Sequence, residues 1–132
     1  MSRLIQAWLA PFDWEFVTKI NRGLCLKKHA LHKPTSEGHP AAKRLWEKNQ
    51  ARKISLTDAL EICKQCHRLA PFCFYNGNTF AAIARDFVRE LSPGMPPDQA
   101  HILRSITGHV VAGTATEIEQ KQLDSMLAAY EK

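Results

Sequence analysis

The sequence predicts an all-α protein, a compact irregular array or bundle of about six helices with proline- and glycine-marked loops. Apolar residues recur three and four positions apart through most of the chain, which is the helical period. No stretch alternates between apolar and polar residues for long enough to require a strand. The 132 residues, 45% hydrophobic and 23% charged, fall in the size range of one domain. We therefore expect residues 1–132 to form a single helical domain with its own core.

Three helices are predicted in the first half of the chain. Residues 3–9 place their apolar side chains on one side of a short helix. Asp13 can cap a second helix, in which Gly23 permits a kink. The loop over 32–40 contains two prolines and a glycine, which favour neither helix nor strand. It leads into a helix over 41–53, whose narrow apolar stripe leaves most of its surface in water.

The second half of the chain carries recognisable start and stop patterns for helices. Ser55 or Thr57 can cap one helix, and Asn78 can cap the next. Gly113 suits the end of a helix, because glycine adopts the left-handed conformation that often closes one. Thr116 begins a capping-box pattern. These patterns bound helices over residues 55–69, 79–91, 99–113 and 116–130.

The four cysteines are the residues with the clearest capacity for chemistry. Cys63 and Cys66 fall on the apolar side of their helix, where free cysteine is commonly a small buried hydrophobe. The same C-x-x-C spacing is also half of a zinc site, which needs two further nitrogen or sulfur ligands. Cys73 can supply one, and Cys25 and His29, four apart on one helix, can supply another. The candidate metal ligands are Cys25, His29, Cys63, Cys66 and Cys73.

Two other interpretations of the cysteines fit less well. The run from Cys63 to His67 matches the attachment pattern of c-type haem. That attachment usually follows export, and the opening residues carry no secretory signal. A redox dithiol needs a helix N-terminus or positive neighbours, whereas Cys63 lies deep inside its predicted helix. We therefore expect either no cofactor or a structural zinc ion, in a cytoplasmic protein whose thiols are reduced or metal-bound.

Positive charge is concentrated in one part of the chain. The net charge is +5, yet residues 19–53, here called the basic segment, hold ten Lys and Arg against two acids. Segregation of this kind indicates an anionic partner. Trp46 could add a stacking platform for a base. The candidate binding residues are Arg22, Lys27, Lys28, Lys33, Lys43, Arg44, Trp46, Lys48, Arg52 and Lys53.

The sequence contains none of the common catalytic motifs: no H-E-x-x-H, P-loop, G-x-G-x-x-G or G-x-S-x-G. We therefore expect a non-catalytic binding module that contacts nucleic acid, RNA or DNA, or another polyanion. The alternative is a protein-interaction or assembly subunit, an adaptor or homo-oligomer, whose cysteines are simply buried. Its basis is two aromatic clusters that could meet a partner: Trp8, Phe12, Trp14 and Phe16, and Phe72, Phe74 and Tyr75. No apolar run is long enough to span a membrane.

Overall fold

Six α-helices follow one another in the computed structural model, which describes residues 5–130. The only β contacts within that range are two isolated antiparallel bridges, between Gln6 and Ile54 and between Pro34 and Phe72. The prediction of an all-α fold is therefore confirmed. In chain order the helices are α1 (Trp14–Lys27), α2 (Gly38–Asn49), α3 (Leu56–Leu69), α4 (Asn76–Arg89), α5 (Pro97–Ala112) and α6 (Glu117–Tyr130).

Four helix ends are set by local residues that the sequence indicates. The side chains of Asp13 and Ser55 each accept a hydrogen bond from the backbone N–H three residues later, at 2.8 and 3.1 Å. Thr116 and Glu119 exchange two side chain-to-backbone hydrogen bonds of 3.1 Å, which is the predicted capping box. Gly113 ends α5 at φ 77°. These local predictions are confirmed. They could be made from the sequence because each feature involves residues within one helical turn of each other.

The predicted helix over 3–9 is wrong where it can be compared, since residues 5–12 form turns and a bridge. Residues 3 and 4 lie outside the described range. The N–H of Gln6 donates to the Ile54 carbonyl at 3.1 Å, and the Ile54 N–H donates back at 2.9 Å. Trp8 and Leu9 are nevertheless buried, at 4% and 0% exposure. Their burial needs only the apolar pattern, whereas a helix also needs the backbone groups that the bridge uses.

Helix α4 begins before the predicted cap at Asn78, so that prediction is also wrong. The side chain of Asn76 accepts from the backbone N–H of Phe72 at 2.9 Å and donates to the Phe72 carbonyl at 2.7 Å. Tyr75, the residue before the helix, has φ 62°. Asn76 thus holds the turn closed from inside the first helical turn, and Asn78 remains exposed.

The core lies between the helices and is rich in aromatic rings. Trp46, Phe72 and Phe80 are among its largest fully buried side chains. The rings of Trp14 and Phe72 stack with centroids 6.0 Å apart. Gly38 lets the start of α2 approach the end of α3, because a Cβ there would overlap two backbone carbonyl oxygens of residues 69 and 70. This close approach places the loop before α2 over the core.

Helices α4 and α5 run antiparallel and form the most extensive helix pair. The Cβ position of Gly77 lies 3.4 Å from Ala112, and the end of the Arg85 side chain lies against Gly108. Among the described helices, none combines the length and the apolar character that a transmembrane helix needs.

Candidate functional site

Three of the four cysteine side chains are fully buried, and Cys73 is exposed. Burial raises the pKa of Cys63 well above its ordinary value, and the neighbouring Cys66 raises it further. Burial likewise raises the pKa of Cys66 to about 12. Both thiols therefore carry their protons at neutral pH and pack as small apolar groups. The Cys66 Sγ also lies 3.8 Å from the carbonyl oxygen of Ala42, to which it can donate.

The expectation that Cys25 and His29 share a helix face is wrong. Helix α1 ends at Lys27, and His29 adopts a left-handed conformation at φ 55°. The His29 N–H donates to Leu26 O at 3.3 Å and the Ala30 N–H to Cys25 O at 2.8 Å. These two bonds form the reversal that often closes a helix. The reversal turns His29 towards solvent, whereas Cys25 stays in the core.

The five candidate metal ligands do not come together. Within residues 5–130, no group of three or more His, Cys, Asp or Glu side chains is arranged to hold a metal ion. Burial and the nearby Cys73 raise the pKa of Cys25, which places these two thiols in one region. Cys63 and Cys66 form a separate pair within the core. The zinc hypothesis therefore has no support from the arrangement of the described side chains.

The nine candidate cations, in contrast, are all exposed. In the described part of the chain, Lys43 is the only one of them that pairs with a carboxylate, Glu47 at 3.5 Å. Arg52 donates to the side-chain oxygen of Asn49 at 3.1 Å, which leaves its charge uncompensated. Uncompensated cations on a surface attract polyanions at long range.

Trp46 does not lie with these cations on the surface. Its side chain is 0% exposed, and its indole N–H donates to the carbonyl of Phe12 at 2.6 Å. Neither ring face is open to a base. Trp46 therefore anchors α2 to the core and cannot stack on a base, contrary to the expectation from the sequence.

A groove of about 600 Å³ opens in the middle of the basic segment. We call it the loop groove. It lies where the loop before α2 passes over the residues that follow α3, and the two are joined by backbone hydrogen bonds from Cys73 N to Lys33 O (3.0 Å) and from Thr35 N to Pro71 O (2.9 Å). Its lining residues are Lys33, Pro34, Thr35, Ser36, His39, Pro40 and Cys73.

Two histidines join the loop groove to the core and to flanking cations. The rings of His32 and His39 lie 5.6 and 5.7 Å from the ring of Phe72. Burial lowers the pKa of both histidines, and a nearby cation lowers it further, Arg22 for His32 and Lys43 for His39. Arg22 therefore lies near His32, and Lys43 lies near His39, which lines the loop groove.

The N-terminus of α2 also opens at the loop groove, since His39 and Pro40 belong to its first turn. No side chain caps the first N–H groups of this helix. Free N–H groups and the helix dipole make such an end favourable for a negative group. The loop groove therefore combines cations with an uncapped helix start.

Sequence reasoning missed Asn21, which organises the region behind the loop groove. It is buried and lies on the stripe of α1 that also holds Val17 and Cys25. Its side-chain nitrogen donates to Phe74 O at 2.7 Å and to Thr79 Oγ1 at 3.0 Å. A polar residue within an otherwise apolar stripe was the pattern that could have identified it.

Comparison with protein-family models, curated proteins and solved structures gives no match to this chain. The functional argument therefore depends on the chain's own residues.

Proposed function

We propose that this protein is a non-catalytic module that binds nucleic acid, or another polyanion of similar charge density, through the basic segment. The observation that carries the proposal is the imbalance of exposed charge. All nine candidate cations are exposed, and within residues 5–130 only Lys43 has a carboxylate partner. Cations that are not neutralised by the protein are available to neutralise phosphates.

The arrangement along α2 suits contact with a phosphate backbone. Lys43, Arg44 and Lys48 lie on its exposed side, whereas Ala42 and Trp46 are buried. The helix has 12 residues and is therefore about 18 Å long. The three cations lie within five positions of one another, about 7.5 Å along the helix axis, so they can contact neighbouring phosphates of one strand.

Affinity from such contacts comes largely from the release of counterions, so it depends steeply on salt. Phosphate contacts carry no sequence information directly. Because Trp46 is buried, it offers no stacking surface that would favour unpaired bases. We therefore expect binding with little sequence preference.

The test is binding of random-sequence RNA and duplex DNA at several salt concentrations. A variant in which Lys33, Arg44 and Lys48 are changed to Gln should bind more weakly. The slope of log affinity against log salt should fall in magnitude by about 0.9 for each duplex-phosphate contact removed. The matched control changes three exposed cations outside the segment to Gln, namely Arg68, Arg89 and Lys121.

The control variant loses the same formal charge and should retain most of the affinity. Equal losses in the two variants would reduce the effect to net charge and contradict a defined binding face. Absence of wild-type binding at low salt would also remove the proposal.

One observation favours the second candidate function, a protein-interaction or assembly subunit. Leu26 and Leu31 are 75% and 59% exposed, and Phe74 is 49% exposed. Large exposed apolar side chains can meet a protein partner. Of the predicted aromatic clusters, Trp8, Trp14 and Phe72 are instead buried. Sedimentation tests this alternative: association weakened by Leu26→Ser and Leu31→Ser would favour it, and a strict monomer would count against it.

A further inference from the structure

A second cationic site lies outside the basic segment, between α4 and α5. Here an open cavity of about 290 Å³ is lined by Arg85, His101, Arg104 and Ser105. Three of these residues lie on one face of α5, because positions 104 and 105 follow position 101 by three and four residues, about one helical turn. Arg85 faces them from the antiparallel α4. All four side chains can donate hydrogen bonds.

The Arg85 guanidinium packs closely against Gly108 of α5. A Cβ at Gly108 would lie 2.5 Å from Arg85 Nη2, 2.8 Å from Nε and 2.9 Å from Cζ. Such distances are too short for non-bonded atoms, so only glycine lets the guanidinium lie this close to the helix. Glycine inside a helix is unfavourable relative to alanine. Glycine nevertheless occupies the buried position 108, and this is where the Arg85 guanidinium packs.

The positive charge in this cavity is not neutralised by the protein. No Asp or Glu of the described chain lines the cavity. Arg89, one turn after Arg85, pairs with Asp86 at 2.8 Å, and Asp86 lines a different cavity together with Gln6. Neither Arg85 nor Arg104 makes an ion pair or side-chain hydrogen bond among residues 5–130. Two neighbouring guanidinium groups without a counter-charge repel each other, and a bound anion would remove that repulsion.

We infer that this cavity is a binding site for a single phosphate group, either inorganic phosphate or the phosphate of a small monoester. Arginine favours this ligand, because its planar fork of N–H groups matches two phosphate oxygens. The Ser105 hydroxyl and the His101 ring can donate to the remaining oxygens. The site uses none of the basic-segment residues, so it can be tested independently of the proposed polyanion binding.

The experiment uses the full chain and measures heat of binding for inorganic phosphate and for glycerol 3-phosphate. Saturable binding of one or both is expected. Changing Arg85 or Arg104 to Gln should weaken it by roughly tenfold each, since charge-assisted hydrogen bonds are lost. The control Arg89→Gln removes an arginine from the same helix and should leave binding unchanged.

A glycine substitution provides a sharper test. Gly108→Ala keeps both arginines and should favour helix formation, yet it must displace the Arg85 guanidinium. Phosphate binding should weaken while the thermal midpoint does not fall. Gly23→Ala is the matched control, because its Cβ would meet no atom within 4 Å.

Comparing inorganic phosphate with glycerol 3-phosphate distinguishes the two sources of the phosphate group. Binding of both ligands assigns recognition to the phosphate group itself, and binding of the monoester alone assigns it to a phosphorylated small molecule. The inference is overturned if neither ligand binds, or if Gly108→Ala and the arginine variants bind as tightly as the wild type. It is also overturned if these variants reduce only RNA or DNA binding, because the arginines would then belong to the polyanion face.

Discussion

The indole N–H of Trp14 donates a hydrogen bond of 3.1 Å to Nε2 of His39. An Nε2 that accepts cannot carry a proton, so His39 is neutral with its hydrogen on Nδ1. Burial and the nearby Lys43 lower the pKa of His39, which agrees with the neutral form. One bond therefore joins the first turn of α1 to the loop groove and favours one protonation state.

This bond predicts that the protein loses stability in mild acid. The folded pKa of His39 lies below its ordinary value of 6.5, so the unfolded chain binds the proton first as the pH falls. The stabilisation is fully present above pH 6.5 and is lost as the pH falls through the folded pKa. The pKa of His32 is lowered in the same direction and adds to the effect. Urea unfolding at a series of pH values measures it.

The variant His39→Gln should reduce this pH dependence, because the titrating ring is removed. His101→Gln, which changes an exposed histidine on α5, serves as the control and should keep the wild-type profile. A profile that is equally steep in His39→Gln and the wild type would contradict the assignment to His39.

Asn21 is predicted to be a major contributor to stability. Its side-chain oxygen lies 2.8 Å from His32 Nδ1 and 3.5 Å from the Cys25 Sγ, in addition to the two bonds of its nitrogen. Asn21→Ala removes the hydrogen-bond partner of Phe74 O, His32 Nδ1 and the Cys25 Sγ, whereas Thr79 Oγ1 still donates to Tyr75 O. The free energy of unfolding should fall by about 3 kcal/mol, because buried polar groups are left unpaired.

The control for Asn21 is Asn78→Ala, an exposed asparagine in the first turn of α4. Its effect on the free energy of unfolding should stay within about 0.5 kcal/mol. Comparable losses in the two variants would mean that the hydrogen-bond network contributes little.

The cysteines are predicted to differ sharply in reactivity. Only Cys73 is exposed, whereas the pKa of each buried thiol, Cys25, Cys63 and Cys66, is raised by burial. Because the thiolate is the reactive form, one thiol of the folded protein should react rapidly with a thiol reagent. All four should react after denaturation, and Cys73→Ser should abolish the rapid phase.

Elemental analysis of the same preparation tests the zinc hypothesis directly. Stoichiometric zinc, together with thiols that stay masked until a chelator is added, would contradict the interpretation of the buried cysteines as simple core residues. A metal-free protein with four titratable thiols would support that interpretation.

The parts of the fold that follow from short-range chemistry could be predicted. Asp13, Ser55 and Gly113 act within one helical turn, so their neighbours in sequence are also their partners in space. The helix over 3–9 failed for the opposite reason, because the hydrogen-bond partner of Gln6 is the distant Ile54. The helix cap predicted at Asn78 was wrong because the Asn76 side chain forms two hydrogen bonds with the backbone of Phe72 and α4 begins there.

The candidate site could be predicted only as a segment. Its cations follow from composition, and their exposure follows from the cost of burying unpaired charge. Trp46 could not be assigned, because an amphipathic side chain is compatible with the core and with the surface. The convergence of His32 and His39 on Phe72 depends on the crossing of two loops, which no local pattern encodes.

By itself, the sequence determined the helical class, several helix boundaries and the location of the excess positive charge. Periodicity, capping and charge act over a few neighbouring residues and can therefore be recognised along the chain. Tertiary structure alone decided that Trp46 is buried and that Arg85 lies on Gly108. Both depend on how separate elements pack, and packing brings together residues whose separation in sequence carries no trace of their contact.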